Sequence, residues 1–285
     1  MIKRFYLITV SLFLIFGGLR TRAQYELGIP SFAKAEDAKI AYWVIGEGEP
    51  LLLVHGFLGR ATSWVKHIPT LSKNHQLILV ELRDHGYSTN LKDTYNNFEA
   101  AADMVAVLDA IGIKSVDAAG FSAGALALLN MAVEHPERLK SIAVIGGMTH
   151  FSDKANKIFN NFHLDNIDRN TFINFSNQHE GDTLKMKRLL GYLQDFSEDK
   201  KPIFTTSQLK SINTPTLIIS GDRDALISVE QAMDMYRSIP NSYLMIFPNT
   251  GHSYGPYSEL GKNYLMSTIL DFISKRWKCP AYCDN

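Results

Sequence analysis

The segment VDAAGFSAG at residues 116–124 carries the strongest structural signal in the sequence. Residues 116–120 form a short run of apolar and small residues, which is typical of a strand buried on both faces. The following ALALLNMAV, residues 125–133, favours a buried helix. Between them, GFSAG at 120–124 predicts a sharp strand-to-helix turn with Ser122 at its apex, since glycines on both sides let neighbouring chain segments approach closely. The other interpretation of GFSAG alone is a glycine-rich helix start with an inert serine.

Working outward, similar apolar runs alternate with segments of helical spacing. The runs are too continuous for strands with one solvated face and indicate a mostly parallel sheet covered by helices on both sides. We therefore predict a doubly wound α/β fold. The predicted strands are 51–54, 77–82, 116–120, 141–145, 216–220 and 243–247, and the predicted helices are 63–71, 97–111, 123–133, 229–238 and 262–275.

The alternation breaks between residues 150 and 212. This stretch is polar and rich in Asn, has phenylalanines and leucines at loosely helical spacing, and contains no convincing strand. A structureless loop of this length is uncommon in a compact domain. We expect a mostly helical cap inserted over the carboxyl edge of the sheet, with residues 24–149 and 213–285 forming the core.

The first 23 residues predict a secretory signal peptide. Lys3 and Arg4 precede an uncharged apolar run at 5–16, and Thr21-Arg22-Ala23 supplies a small-x-small cleavage site. The alternative is an uncleaved membrane anchor, although the run falls short of the roughly 20 residues that a spanning helix needs. We expect a secreted or periplasmic protein with no membrane span after cleavage.

Composition excludes several function classes. The 285 residues carry 29 basic and 29 acidic side chains without a dense Lys/Arg run, which argues against nucleic-acid binding. The two cysteines, Cys279 and Cys283, close the chain in CPAYC, and a small-loop disulfide and two free thiols both stay open. The sequence has no HExxH and no second CxxC-type pair, so we expect no metal.

Three side chains that follow predicted strands suggest nucleophilic catalysis. A serine hydroxyl such as that of Ser122 needs a base, and the base needs an orienting acid. His252 follows the last predicted strand and is the candidate base. Asp224 in GDRD at 221–224 is the preferred acid, with Asp222 as the alternative. The amides of Phe57, in HGFLG at 55–59, and of Ala123 are the expected oxyanion donors, while His55 is expected to hold its loop.

These segments, taken in order, resemble the α/β-hydrolase superfamily across about residues 36–275. The landmarks are HGF at 55–57, ELRDHGYS at 81–88, GFSAG at 120–124, GDRD at 221–224 and GH at 251–252. The resemblance implies the order Ser122, Asp224, His252 for nucleophile, acid and base. Asp84 departs from the small or amide residue usual after the arginine of the second landmark, and implies an added charge or a salt bridge near Arg83.

Three functions follow as hypotheses. The first is a serine hydrolase that cleaves a small-molecule carboxylic ester through an acyl-enzyme, without a cofactor. Phe121, Met148 and His150, together with aromatic residues of the cap, are candidates to line its acyl pocket. The second is a lactonase, carbon–carbon bond hydrolase or perhydrolase with the same triad. The third is a non-catalytic ligand-binding protein, which the complete set of triad residues argues against.

Overall fold

The computed structural model describes residues 27–198, 202–253, 255–256, 258–275 and 277. The predicted signal peptide and the two cysteines lie outside the described residues. Within the described chain, no helix is long and apolar enough to cross a membrane.

Eight strands of the described chain form one sheet in the order β1-β2-β4-β3-β5-β6-β7-β8. β1 and β2 pair antiparallel, as do β2 and β4, and the other neighbours pair in parallel. The carboxyl ends of β3 to β8 therefore meet at one edge of the sheet. The strands are β1 Ser31–Lys34, β2 Lys39–Ile45, β3 Glu49–Val54, β4 His75–Val80, β5 Val116–Phe121, β6 Leu139–Ile145, β7 Thr216–Gly221 and β8 Ser242–Phe247.

Helices cover both faces of this sheet, as the sequence predicts. Successive strand side chains point to opposite faces, so Leu52 and Val54 join one buried apolar cluster while Leu51 and Leu53 join the other. The first cluster includes residues of α2 Asn97–Ala110, α3 Ala123–Glu134 and α8 Val229–Ser238. The second includes residues of the 3-10 helix Ala61–His67, the short α1 Ile68–Leu71 and α9 Glu259–Ile273. The doubly wound α/β prediction is confirmed.

Between β6 and β7 the described chain contains helices and no strand. They are α4 Asp153–Asn160, α5 Arg169–Gln178, α6 Thr183–Glu198 and α7 Thr206–Ser211. The apolar side of α6 is buried through Met186, Leu189, Leu190 and Leu193. We use the term cap for residues 150–212.

Three features of the amino-terminal part differ from the sequence-based expectation. Strands β1 and β2 were not among the predicted strands; β1 is four residues long and buries only Ala33, which leaves no periodic signal. The segment 63–71 is a 3-10 helix continued by one α-helical turn rather than a single helix. Strand β4 also ends at Val80, two residues before the predicted boundary.

Candidate active site

Ser122 occupies the turn between β5 and α3 in a strained backbone conformation. Its φ of 51° and ψ of −116° lie in a region that residues with a side chain seldom adopt. The turn is possible because Gly120 and Gly124 flank it: a Cβ on Gly120 would lie 2.6 Å from the carbonyl of Gly124. The Ser122 N–H donates to Ile145 O at 2.8 Å, so β6 anchors the strained turn, and the serine side chain is left at the carboxyl edge of the sheet.

His252 and Asp224 meet Ser122 at this edge. The distance from His252 Nε2 to Ser122 Oγ is 3.0 Å, and that from His252 Nδ1 to Asp224 Oδ2 is 2.8 Å. Both the histidine and the aspartate are buried. The structure thus brings together the three residues that the sequence singled out, although Ser122 and His252 are 130 positions apart.

The surroundings of Asp224 fix how the histidine is oriented. Asp224 Oδ1 accepts hydrogen bonds from the backbone N–H groups of Leu226 at 2.8 Å and Ile227 at 2.9 Å. Its other oxygen faces His252 Nδ1, so Nδ1 carries the ring proton and Nε2 presents a lone pair to Ser122. The Phe121 ring lies against the His252 ring with centroids 4.9 Å apart. This packing leaves the imidazole little freedom to turn.

Two backbone amides lie beside the serine. Ala123 is the first residue of α3, and its N–H has no partner inside the helix. Phe57 follows Gly56, where a Cβ would approach the Ser122 Cβ to 3.2 Å, so the 55–60 loop passes directly over the serine. The Phe57 N–H donates to no acceptor in the described part of the chain. Two N–H groups are thus available next to Ser122 for a developing negative charge.

A family model described as alpha/beta hydrolase fold matches residues 49–201, just over half of the chain. The chain belongs to the α/β-hydrolase family. That segment contains Ser122 and Phe57, and the strand order places His252 and Asp224 beyond it on the loops after β8 and β7.

Relatives in the α/β-hydrolase family carry different activities by name. A protein of Azorhizobium caulinodans named putative carbamate hydrolase RutD is 34% identical over 116 residues, which cover 41% of this chain and less than half, 44%, of that protein. A 2-hydroxy-6-oxononadienedioate/2-hydroxy-6-oxononatrienedioate hydrolase of Pseudomonas putida is 24% identical over 247 residues, 76% of this chain and 86% of that one. The crystal structure of naproxen esterase from Bacillus subtilis superposes with a TM-score of 0.66 at 19% identity, covering 85% and 90% of the two chains, and supports the fold alone.

In this α/β-hydrolase two buried histidines brace the loop that carries Phe57. His55 Nε2 accepts from the Leu82 N–H at 3.1 Å, and its Nδ1 lies 2.7 Å from Gly56 O. His85 Nε2 accepts from the Leu58 N–H at 3.1 Å. Burial lowers the pKa of both imidazoles well below the usual histidine range, which keeps them neutral. The predicted structural role of His55 agrees with these contacts.

The 81–88 loop joins the core to the cap. Asp84 is fully buried and forms a two-point ion pair with Arg188 of α6, at 2.7 and 2.8 Å. Lys185 donates to Gly86 O at 2.6 Å and to Ser88 O at 2.9 Å, and the Gly86 N–H donates to His179 Nδ1 at 2.9 Å. These contacts bind α6 and His179 of the cap to the 81–88 loop of the core.

The salt bridge expected of Asp84 near Arg83 is formed with Arg188 of the cap and not with Arg83 itself. Arg83 instead pairs with Asp103 through Nε and Nη2, at 2.8 and 2.9 Å, and with Glu99. The cap partner Arg188 lies 104 positions from Asp84, and nothing in the sequence indicated the pair. The sequence showed only that residue 84 is charged, which indicates that Asp84 needs a partner but not which one.

Aromatic side chains from core and cap meet next to Phe57. The Phe57 ring lies 5.4 Å from both Tyr95 of the core and Phe196 of α6, each edge to face. Phe196 also stacks on Phe151 at 5.6 Å. These contacts form an apolar junction beside the Phe57 N–H, and a role of the cap aromatic residues in an acyl pocket stays a prediction.

The three predicted pocket residues lie in different surroundings. The Phe121 ring packs against the His252 ring and lies so close to Gly56 that a Cβ there would be 2.7 Å from Phe121 Cδ1. Met148 is buried in the apolar cluster that includes α3, and His150 is exposed, with Nδ1 3.1 Å from the Thr149 hydroxyl. Their contact with substrate stays a prediction. Among the described residues no cluster of three or more His, Cys, Asp or Glu side chains is arranged to hold a metal ion.

Proposed function

We propose that this chain is a serine hydrolase that cleaves carboxylic esters through Ser122, His252 and Asp224. The observation that carries the proposal is the continuous line of hydrogen bonds from Ser122 Oγ to His252, at 3.0 Å, and from His252 to Asp224, at 2.8 Å. A serine hydroxyl is a weak nucleophile at neutral pH, and this arrangement supplies the base and the orienting acid that it needs.

The proposed reaction has two halves. His252 Nε2 takes the Ser122 proton as Oγ attacks the ester carbonyl, and the carbonyl oxygen becomes an oxyanion between the Phe57 and Ala123 N–H groups. The imidazolium then gives its proton to the leaving alcohol, which departs and leaves an acyl-serine. A water molecule, deprotonated by the same histidine, attacks the acyl carbonyl, releases the acid and restores the Ser122 hydroxyl.

We propose further that the acyl group is uncharged. The cationic side chains described where cap meets core are already engaged: Arg188 pairs with Asp84, Arg60 with Glu81 and Glu180, and Lys185 binds two backbone carbonyls. Beside Phe57 the cap presents aromatic rings. A carboxylate on the acyl group would have to lose its water there without gaining a counter-charge, which costs free energy.

Rapid-mixing kinetics with p-nitrophenyl butyrate tests the proposal. We expect a burst of p-nitrophenolate of about one equivalent or, if deacylation is fast, steady turnover. In both cases Ser122→Ala should release p-nitrophenolate at least a thousandfold more slowly than the parent. The control Ser211→Ala removes an exposed hydroxyl that donates only to Gln208 O and should match the parent. Activity retained by Ser122→Ala would contradict the proposal.

A paired substrate tests the acyl preference. Mono-p-nitrophenyl succinate has the same acyl chain length as the butyrate ester but ends in a carboxylate. We expect its kcat/KM to be at least tenfold lower than that of the butyrate ester. Equal or higher values would show that the site accepts a charged acyl group.

We also propose that the chain is exported and that residues 1–23 are removed. This rests on the basic start, the apolar run and the small-x-small site of the sequence. Intact-mass analysis of the protein expressed from its full-length sequence, fractionated into cytoplasm, membrane and exported material, should find a chain beginning at Gln24 outside the cytoplasm. A full-length chain in the membrane fraction would instead support the anchor.

A further inference from the structure

The loop that presents the Phe57 amide contains a strained residue. The Gly59 N–H donates to Gly56 O at 2.9 Å, which closes a four-residue turn over 56–59. Leu58, the third residue of this turn, has φ of +58°, in the left-handed region that turns of this kind usually give to glycine. The peptide that follows Phe57 therefore needs support from outside the turn to keep its orientation.

His85 supplies that support. Its Nε2 accepts the Leu58 N–H at 3.1 Å, its Nδ1 lies 2.9 Å from Arg83 O, and its ring meets the Phe57 ring edge to face at 4.8 Å. The imidazole thus contacts the turn on both its backbone and its side chain. Because burial lowers the pKa of His85, the ring is neutral and Nε2 remains a hydrogen-bond acceptor.

The cap holds the residues on either side of His85. Asp84 also has a left-handed backbone, with φ of +62°, and its carboxylate is bound at two points by Arg188. Gly86 is held through its N–H by His179 and through its carbonyl by Lys185. A route of direct contacts therefore runs from the cap, through His85, to the turn that carries the Phe57 amide.

We infer that His85 is a positioning residue for the oxyanion amide of Phe57, and that docking of the cap on the 81–88 loop sets the position of His85. The inference rests on the proposed function, because it takes the Phe57 N–H as an oxyanion donor. Its consequence is that the oxyanion hole is complete only while the cap is docked.

Two substitutions of His85 separate its two hydrogen bonds. In His85→Gln the side-chain amide reaches the place of Nε2 and can still accept the Leu58 N–H, whereas in His85→Asn the shorter amide replaces Nδ1 and can still donate to Arg83 O. A purely structural role predicts similar losses for both. The positioning role predicts that Gln retains function and Asn does not.

The readout is inhibition by a trifluoromethyl ketone, whose adduct with Ser122 carries an oxyanion, compared with the matching methyl ketone, which binds without one. We expect His85→Asn to raise the inhibition constant of the trifluoromethyl ketone by about ten- to a hundredfold, which is part of the loss seen when an oxyanion donor is removed. The inhibition constant of the methyl ketone should change less than twofold. His85→Gln should stay within about threefold of the parent. Equal losses for both ketones, or a larger loss for Gln than for Asn, would overturn the inference.

Hydrogen exchange measured by mass spectrometry tests the link to the cap without relying on activity. Arg188→Met removes the ion pair to Asp84, and the matched control Arg138→Met removes an ion pair to Asp109 at the opposite edge of the sheet. We expect Arg188→Met to speed exchange at residues 55–60 at least tenfold with exchange in β5 unchanged, and the control to leave 55–60 unaltered.

Faster exchange confined to the cap and to residues 81–88 would refute the coupling. A parent protein that binds both ketones equally and is not labelled by serine-directed reagents would refute the proposed function instead. In that case the exchange result still decides whether the cap holds the 55–60 turn.

Discussion

Asp222 and Asp224 stand two residues apart after β7, yet their carboxylates have different surroundings. Asp224 is buried and receives two backbone N–H groups besides His252. Asp222 is one-third exposed and lies 3.3 Å from the Thr250 N–H and 3.6 Å from Arg223. Asp224 lies further along the loop than Asp222 and is the acid that the sequence favours, and its burial and hydrogen bonds give that preference a physical reason.

The difference predicts unequal effects of the same substitution. In Asp224→Asn the amide can donate to His252, which favours the ring tautomer whose Nε2 no longer accepts the Ser122 proton. We expect kcat for ester hydrolysis to fall on the order of a thousand- to ten-thousandfold, as for the triad acid in serine proteases. Asp222→Asn is the control, and its kcat should stay within about threefold of that of the parent protein. Similar losses in both variants would contradict the assignment of the acid.

At the residue scale, the sequence is informative where the residue type and its position after a strand both carry a signal. Ser122, Asp224 and His252 each follow a parallel strand, so the topology alone brings them to one edge. The contacts of His85 and Arg188 could not be predicted in this way. Their partners are backbone atoms or residues about 100 positions away, and a buried ion pair leaves no periodic pattern in the sequence.

At the scale of elements, the junction between β3, β5 and α3 determines where the serine lies. α3 begins so close to the end of β3 that a Cβ on Gly124 would lie 2.5 Å from Val54 O and 2.6 Å from His55 O. Both contacts are to backbone, which cannot rotate away as a flexible side chain can. The helix can therefore pack in this position only with glycine at 124.

Gly124→Ala should consequently push α3 away from β3. We expect the free energy of unfolding to fall by about 2 kcal/mol or more, since overpacking against backbone is poorly relieved, and ester hydrolysis to drop with it. Gly191→Ala in α6 is the control: a Cβ there meets nothing within 4 Å, so alanine should raise stability by about 0.5–1 kcal/mol through its higher helix propensity. Urea unfolding of the three proteins measures both effects, and a stable, active Gly124→Ala protein would refute the steric argument.

The sequence predicted the central elements well because their patterns are strong. The six predicted strands are the parallel ones, and all of them except the edge strand β8 are largely buried on both faces, which gives nearly continuous apolar runs. β2, KIAYWVI, has the β-branched and aromatic composition of a strand and could have been identified, whereas the four residues of β1 could not. The irregular start of the 63–71 segment reflects the 3-10 turn before Pro69, which apolar spacing alone does not reveal.

For the whole molecule, the burial of neutral histidines where cap meets core makes stability depend on pH. The ring centroid of His85 lies 5.2 Å from that of His55 and 5.6 Å from that of His179, and all three side chains are fully buried. Burial lowers the pKa of His179 to about 3. Below about pH 6.5 the unfolded chain binds a proton at this residue that the folded chain does not, so the free energy of unfolding falls as the pH drops from 6.5 towards 3.

His179→Asn isolates this contribution. Asn can still accept the Gly86 N–H through its side-chain carbonyl but does not titrate. Between pH 6 and 4 we expect the parent to lose stability more steeply than the variant by about 1.3 kcal/mol per pH unit, close to the limit of about 1.4 kcal/mol per pH unit for one titrating group. Chemical denaturation at several pH values gives both slopes. Parallel slopes would show that His179 is not held neutral in the folded protein.

Activation of Ser122 can be measured without any choice of substrate, by intact-mass labelling with a fluorophosphonate. We predict a single adduct on the parent protein and none on Ser122→Ala, with both proteins folded by circular dichroism. A folded parent that stays unlabelled, or a Ser122→Ala protein that is labelled as fast as the parent, would contradict the account.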